Sequence, residues 1–159
     1  MQIQDMQKFG GFVDIEVIRD GRNGPKVIKR ERSHNLVINS GKKQILRCMC
    51  GLQTNDFDQF RIGTSGAAAT SGDTNVLSPV TGTLVTADSK TLLLGTRSLQ
   101  FIVSYPSGVG SISANAIQEV CLLNQNTSPG GSAAMRCVFS STDKTTADKL
   151  KITYTLRAT

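Results

Sequence analysis

The stretch Ile117–Asn124, with the sequence IQEVCLLN, is short, mostly apolar and bounded on both sides by turn-forming residues. A run of this length and composition predicts a buried strand rather than a helix. Its single acid is Glu119, and a carboxylate in apolar surroundings is costly unless a cation or several N–H groups meet it. Two structural explanations stay open: Glu119 lies on the wet face of a half-buried sheet, or it pairs with a neighbouring arginine. We prefer both to a catalytic glutamate, because no residue near it in the sequence supports catalysis.

Alternation of apolar and polar residues predicts strands elsewhere in the chain. Phe12–Arg19 and Lys26–His34 flank a turn-rich segment, and they predict a β-hairpin with a loop of about six residues. The second strand is highly charged, which predicts an edge position, because charged edges resist aggregation. Further strands are expected at Phe57–Thr64, Thr83–Thr86, Lys90–Leu94, Arg97–Tyr105, Ala133–Ser140 and Lys149–Arg157.

One helix is expected, over Gly41–Cys50. The apolar residues between Ile45 and Met49 share one helical face, Ser40 is a suitable N-cap, and Gly51 is a suitable stop. Many short strands with frequent turn signals and one helix predict an all-β fold, an antiparallel β-sandwich of the jelly-roll or Ig-like type. We expect an N-terminal arm over residues 1–11 and a single β-sandwich domain, which begins with the β-hairpin, over residues 12–159.

Positive charge is concentrated in the first third of the chain. Lys and Arg outnumber Asp and Glu by 18 to 12, which gives a formal charge of +6. Residues 1–51 hold ten of these basic residues against five acidic ones, so they carry nearly all of the excess. Such an excess indicates contact with an acidic partner, although a solvated edge strand and helix face would carry the same charges. The candidate partner-binding residues are Lys26, Lys29, Arg30, Arg32, Lys42, Lys43 and Arg47.

Sequence signatures of catalysis are missing. The chain has no GxSxG or HExxH motif, and its one histidine, His34, lies among polar residues where a solvated side chain is expected. Asp56 and Asp58 share one face of a strand, and a polar pair at a loop end is a simpler explanation than a hydrolytic pair or a cation site. We therefore expect no enzyme activity and no cofactor.

Cysteine usage predicts free thiols in a reducing cytosol. Cys48, Cys50, Cys121 and Cys137 are expected to be mostly buried and unpaired. A zinc site is not expected, because Cys48 and Cys50 are separated by one residue and the chain has a single histidine. No apolar run approaches the roughly 20 residues of a membrane span, and the first residues lack the pattern of a secretory signal.

Residues 65–75 form a long segment of small and polar residues. Loops of this length in compact domains are usually functional or mobile. The segment contains neither the Lys-Ser/Thr pair of a phosphate loop nor the glycine pattern of a dinucleotide site.

Three blocks of sequence resemble a loosely related group of tailed-bacteriophage virion proteins, the head-decoration and tail-fibre-like proteins. In that group the blocks have the forms N-LVVN-G, IGTG with a distal DT-L, and EVGLFN. The corresponding blocks here are Asn35–Gly41 before the helix, Phe60–Gly66 with Ser71–Thr74 and Leu77, and Ile117–Asn124 with Ala134–Arg136 and Lys144. The resemblance covers about residues 12–157. Cys121 stands where the group usually has Gly, and Leu123 where it often has Phe.

The resemblance implies a non-enzymatic virion structural protein that is made in the host cytoplasm and has no catalytic residues to transfer. The function expected is a capsid decoration or cement protein that docks on the shell through its basic N-terminal region. A tail baseplate, fibre or fibre-adaptor component is the first alternative, and a basic nucleic-acid-binding module is the second. The partners expected are the major capsid protein or tail proteins and further copies of the chain in a homo-oligomer, without nucleic acid or membrane.

Overall fold

A computed structural model describes residues 9–52, 56–109, 117–124 and 133–158 of the chain. Residues 1–8, most of the expected N-terminal arm, lie outside these ranges. A single 3₁₀ turn at Leu94–Thr96 separates two of the strands. The remaining elements are, in chain order, β1 (Phe9–Gly21), β2 (Gly24–Val37), α1 (Asn39–Met49), β3 (Phe57–Gly63), β4 (Val85–Thr86), β5 (Ser89–Leu93), β6 (Ser98–Tyr105), β7 (Ile117–Asn124), β8 (Ala133–Thr142) and β9 (Asp148–Ala158).

The described strands form one antiparallel sheet in the order β4-β3-β7-β8-β2-β1-β9-β6-β5. The sheet curls into a half-barrel whose inner face carries the main core. The ring of Phe60 on β3 lies 6.0 Å from that of Phe101 on β6 and 5.9 Å from that of Tyr154 on β9, between centroids. Strands that are distant in the sheet order therefore pack against each other across one core.

The expected antiparallel all-β fold with one helix and an N-terminal hairpin is confirmed. The two separate layers of a sandwich are not distinct, because β2 joins the two halves of the curled sheet. It pairs with β1 along most of its length and with β8 through Asn35–Val37.

The N-terminal hairpin is longer and tighter than the sequence predicted. β1 and β2 pair as far as Gly21 and Gly24, which leaves a two-residue turn at Arg22–Asn23 in place of the expected longer loop. Gly24 has a φ of 99°, a conformation that favours glycine. β1 already pairs with β9 at Phe9, so the sheet begins before residue 12, where the domain was expected to start.

The prediction that β2 is an edge strand was wrong, since β2 is fifth in the nine-stranded order. Its backbone pairs with β8 only over Asn35–Val37. Further towards the turn, alternate β2 side chains bond to β8 in place of a backbone ladder, and we call these bonds the polar seam. The polar seam comprises Lys29 Nζ donating to the Ser141 carbonyl at 2.7 Å, Ser33 Oγ donating to the Val138 carbonyl at 2.8 Å, and Glu31 Oε1 accepting from the Ser140 N–H at 2.7 Å.

The helix α1 lies against β8, close to the predicted range. Gly41 approaches β8 so closely that a Cβ there would collide with the backbone of Ala134. Ser40 lies in the first turn, where its hydroxyl donates to the carbonyl of Ala133 at 2.6 Å. Ser40 therefore ties the helix to the sheet rather than lying before the helix as its N-cap.

The helix ends as predicted, at a glycine. Gly51 has a φ of 67°, and the N–H of Leu52 donates to the carbonyl of Arg47 at 2.9 Å. This bond across a left-handed glycine is the Schellman arrangement, which satisfies a carbonyl of the last helical turn.

Candidate functional site

A buried ion pair joins the two strands β7 and β8. Glu119 on β7 and Arg136 on β8 both have side chains with 0% exposure, and Arg136 Nε donates to Glu119 Oε2 at 2.8 Å. Of the two structural explanations for Glu119, the structure bears out the pairing with an arginine. A buried carboxylate requires this kind of compensation, because desolvation of an unpaired charge costs several kcal/mol.

The carboxylate of Glu119 also accepts hydrogen bonds from the backbone of the segment between β3 and β4. Its Oε1 accepts from the N–H of Ser78 at 2.9 Å and of Ser65 at 3.3 Å, and its Oε2 accepts from the N–H of Leu77 at 3.0 Å. Each of its oxygens therefore has protein donors, and one side chain binds a long segment both near its start, at Ser65, and further along, at Leu77 and Ser78. We call residues 64–84 the covering loop.

The guanidinium of Arg136 is bound by the covering loop on its other side. Its Nη1 donates to Asp73 Oδ2 at 2.9 Å and to the carbonyl of Ala68 at 3.3 Å, and its Nη2 donates to the carbonyl of Ala67 at 3.0 Å. Glu119 and Arg136, which are buried, and Asp73, which is partly buried, form a set of charges that we call the Arg136 network. Sequence reasoning missed Asp73, since nothing in the sequence pairs it with a residue 63 positions away.

Asp73 is held by its own loop as well as by Arg136. Its carboxylate accepts from the N–H of Thr70 at 2.9 Å and from the Thr70 hydroxyl at 2.7 Å. Burial of Asp73 raises the pKa of its carboxyl, but the bonds from Thr70 and Arg136 outweigh this effect and lower the pKa below its ordinary value.

The covering loop lies on the outer face of β7 and β8. The N–H of Asn39 donates to the Ser71 carbonyl, and the N–H of Ala133 donates to the Thr74 carbonyl, both at 2.9 Å. A second apolar cluster is buried beneath it. Its members are Ile38, Val76, Cys121, Leu123 and Ala133. The loop therefore acts as a cover for the central strands, and β7 is buried on both of its faces.

The three sequence blocks of the resemblance meet at the covering loop. The first contributes the N–H of Asn39, the second contributes the covering loop, and the third contributes Glu119 followed by Arg136. The glycines of the second block leave the space that this meeting needs. A Cβ at Gly63 would collide with Glu119, and one at Gly66 would collide with Gln118.

Three of the four predicted partner-binding cations on the hairpin, Lys29, Arg30 and Arg32, are engaged within the chain. Arg32 binds the carboxylate of Asp14 through two nitrogens, at 2.6 and 2.9 Å, and lies 4.2 Å above the ring of Phe12. Arg30 binds Glu16 with its Nε at 2.8 Å. Lys29 belongs to the polar seam, as described above.

The other four predicted cations are exposed and lie in two places. Lys26 is near the turn of the hairpin, whereas Lys42, Lys43 and Arg47 lie on α1. None of these four has an ion-pair or hydrogen-bond partner for its side chain within the described ranges. The seven predicted residues are thus divided between the hairpin and α1.

The other residues that the sequence analysis considered are the Asp56–Asp58 pair, His34 and the cysteines. Asp56 and Asp58 share the ammonium of Lys90, at 2.8 and 3.9 Å, so the pair is held by a lysine. His34 is exposed. The described free cysteines are Cys50, which is exposed, and Cys121 and Cys137, which are buried. Burial raises the pKa of the Cys137 thiol to about 11 and that of Cys121 still higher, so both stay protonated at neutral pH.

A second buried cation was singled out in the sequence only through the resemblance. Lys144 is fully buried, and its ammonium donates to the carbonyl of Pro106 at 3.0 Å, which joins the turn after β6 to the turn after β8. Burial lowers the pKa of Lys144, and the charge of Asp148 opposes this effect. Asp148 is bound by Arg19 at 2.7 Å, and this bond contributes most to holding the pKa of its carboxyl well below the usual range.

Comparisons with known proteins identify no relative, since no protein-family model, curated protein or solved structure matches the chain. None of the described helices is long and apolar enough to cross a membrane.

Replacing Arg136 with Met should destabilise the protein by about 3–5 kcal/mol, because Glu119 would remain buried without its cation. The matched control is Arg157→Met on the exposed end of β9, which should change the unfolding free energy by about 0.5 kcal/mol or less. Chemical denaturation of the purified variants measures both values. Equal, small losses for the two variants would show that the buried pair does not hold the fold.

Replacing Asp73 with Asn should destabilise the protein at neutral pH, and the difference from wild type should shrink on acidification. The folded state lowers the pKa of Asp73 below its ordinary value of 3.8. Its charge therefore contributes stability that is complete above this value and is lost as the pH falls through the folded-state pKa. Unfolding free energies of both proteins across this range measure the effect, and a difference that stays constant with pH would contradict it.

Proposed function

We propose that this chain is a non-enzymatic structural protein of a tailed-bacteriophage virion, in which it decorates or cements the capsid shell. The observation that carries the proposal is the meeting of the three resemblance blocks at the covering loop, which the first block contacts through Asn39 and the third holds through Glu119 and Arg136. The residues that resemble decoration and tail-fibre-like proteins are those that hold the covering loop on the sheet. A resemblance in residues that contact one another in the fold is less easily produced by chance than a resemblance in three separate short motifs.

We propose the finer interpretation as a β-sandwich of the jelly-roll or Ig-like type, in which the two halves of the curled sheet serve as the two layers. The two halves of the curled sheet contribute side chains to one core, in which Phe60 from one half contacts Phe101 and Tyr154 from the other. Two opposed layers over a shared core are typical of such sandwiches. A body of this kind, with β7 buried on both faces, suits a rigid building block.

The use of charged groups within the chain also supports a structural role. Both oxygens of Glu119 and all three nitrogens of the Arg136 guanidinium have partners in the protein. The carboxylates of Asp56 and Asp58 face Lys90. These charged side chains therefore hold parts of the chain's own fold together.

Attachment to the shell is proposed to use the basic N-terminal region. Of its seven candidate cations, Arg30 and Arg32 are bound by acidic neighbours, whereas Lys42, Lys43 and Arg47 are exposed on α1 without such neighbours in the described chain. An exposed ion pair is worth only about 0–1 kcal/mol, so attachment needs several pairs together with apolar contact. The protein would be made in the host cytoplasm and reside in the virion beside the major capsid protein and other copies of itself.

The copy number of the chain in purified virions should be comparable to that of the major capsid protein, because a decoration protein covers the repeated shell lattice. Quantitative mass spectrometry of the particles measures this ratio. A copy number that is a small fraction of the capsid protein's would favour the tail baseplate, fibre or adaptor alternative. Absence from the particles would contradict the virion assignment altogether.

A further inference from the structure

The helix α1 faces the sheet on one side and solvent on the other. Gly41 is packed against β8 and Ile45 against the main core, one helical turn apart. Lys42, Lys43, Leu46 and Arg47 share an arc of about 140° on the opposite side, given about 3.6 residues per turn. Together with Leu52, which follows the helix, they form what we call the α1 surface.

The positive charge of the α1 surface is not neutralised within the part of the chain that the structure describes. The helix contains no acidic residue, and its Lys42, Lys43 and Arg47 have no side-chain partner among the residues that the structure describes. The hairpin differs in this respect, because each of its paired arginines meets a carboxylate on the neighbouring strand. The cations of the helix can therefore form ion pairs with the carboxylates of an acidic partner.

Apolar side chains lie among these cations. Leu46 is 54% exposed and Leu52 is 70% exposed, which is high for large apolar residues. The Schellman arrangement at Gly51 turns Leu52 back towards the last helical turns, where Leu46 lies. An apolar centre with a charged rim is the usual anatomy of a protein–protein contact. A phosphate backbone would use the cations but would leave the leucines without apolar partners.

We infer that the α1 surface docks on an acidic protein surface that has an apolar recess for Leu46. The inference rests on the proposed function for the partner's identity, which is the shell of the virion, and it narrows the docking surface to one helix face. The hairpin arginines Arg30 and Arg32 lie outside it, since Glu16 and Asp14 already bind them. Lys26 is also excluded, because it lies near the hairpin turn.

The test compares two triple variants that remove the same number of charges. The first is Lys42→Gln with Lys43→Gln and Arg47→Gln, which keeps good helix-forming residues on α1. The matched control is Lys26→Gln with Arg30→Gln and Arg32→Gln on the hairpin. Binding to virion shells that lack the protein is measured by co-sedimentation at several salt concentrations, after circular dichroism has shown that each variant is folded.

The helix variant should bind the shells about tenfold or more weakly at low salt, whereas the hairpin variant should stay within about twofold of wild type. The difference should shrink as salt screens the charges. Leu46→Ala should weaken binding at every salt concentration, because apolar burial is not screened. Its control is Leu92→Ala, which truncates a leucine of similar exposure, 63%, on β5.

Each outcome separates this inference from the proposed function. If wild type binds the shells and the helix variant binds equally well, the inference fails while the proposed function stands. If wild type does not bind the shells, the proposed function fails and the inference fails with it. If wild type instead binds a short duplex DNA, with an affinity that falls steeply with salt and depends on the α1 cations, the surface is a nucleic-acid site and the protein-docking inference is overturned.

Discussion

The buried guanidinium of Arg136 is the constraint on which the rest of the structure depends. Its N–H donors must all be satisfied away from water, since an unpaired buried charge costs several kcal/mol. Glu119 meets it from β7, while Asp73 and two backbone carbonyls meet it from the covering loop. The loop therefore cannot leave the sheet without exposing or isolating a charge. Its closure in turn buries the second apolar cluster on the outer face of the central strands.

A second constraint sets the shape of the sheet. β2 pairs with β1 along the hairpin but with β8 over only three residues, Asn35–Val37. Beyond these residues the polar seam takes the place of a backbone ladder, so β2 and β8 separate while their polar groups keep partners. This separation is where the curled sheet divides into halves that share one core. It also leaves the hairpin end of β2, Gly24–Ile28, exposed.

The sequence predicted the individual elements well, because their patterns are local. β7 has the predicted bounds, and the alternation of the last strand places Leu150, Ile152 and Tyr154 in the core as expected. The placement of β2 was wrong, because alternating charged residues predict a solvent face equally well for an edge strand and for a polar seam. Asp73 as a partner of Arg136 was not predicted, since a pattern of period two indicates which face a residue occupies but not which distant segment covers that face. For the same reason the sequence did not predict that the small-residue loop binds the buried guanidinium of Arg136 through the carbonyls of Ala67 and Ala68.

Native-state hydrogen exchange of the covering loop tests the central claim most directly. Amides that donate to the buried carboxylate of Glu119 exchange only when the loop opens, and opening disrupts the Arg136 network. We predict that the amides of Leu77 and Ser78 are protected nearly as strongly as those of β7 in wild type, and that Arg136→Met removes most of this loop protection at conditions where the variant is still folded. Exchange of both amides in wild type as fast as that of Arg22 and Asn23 in the hairpin turn would contradict the claim that the network holds the loop on the sheet.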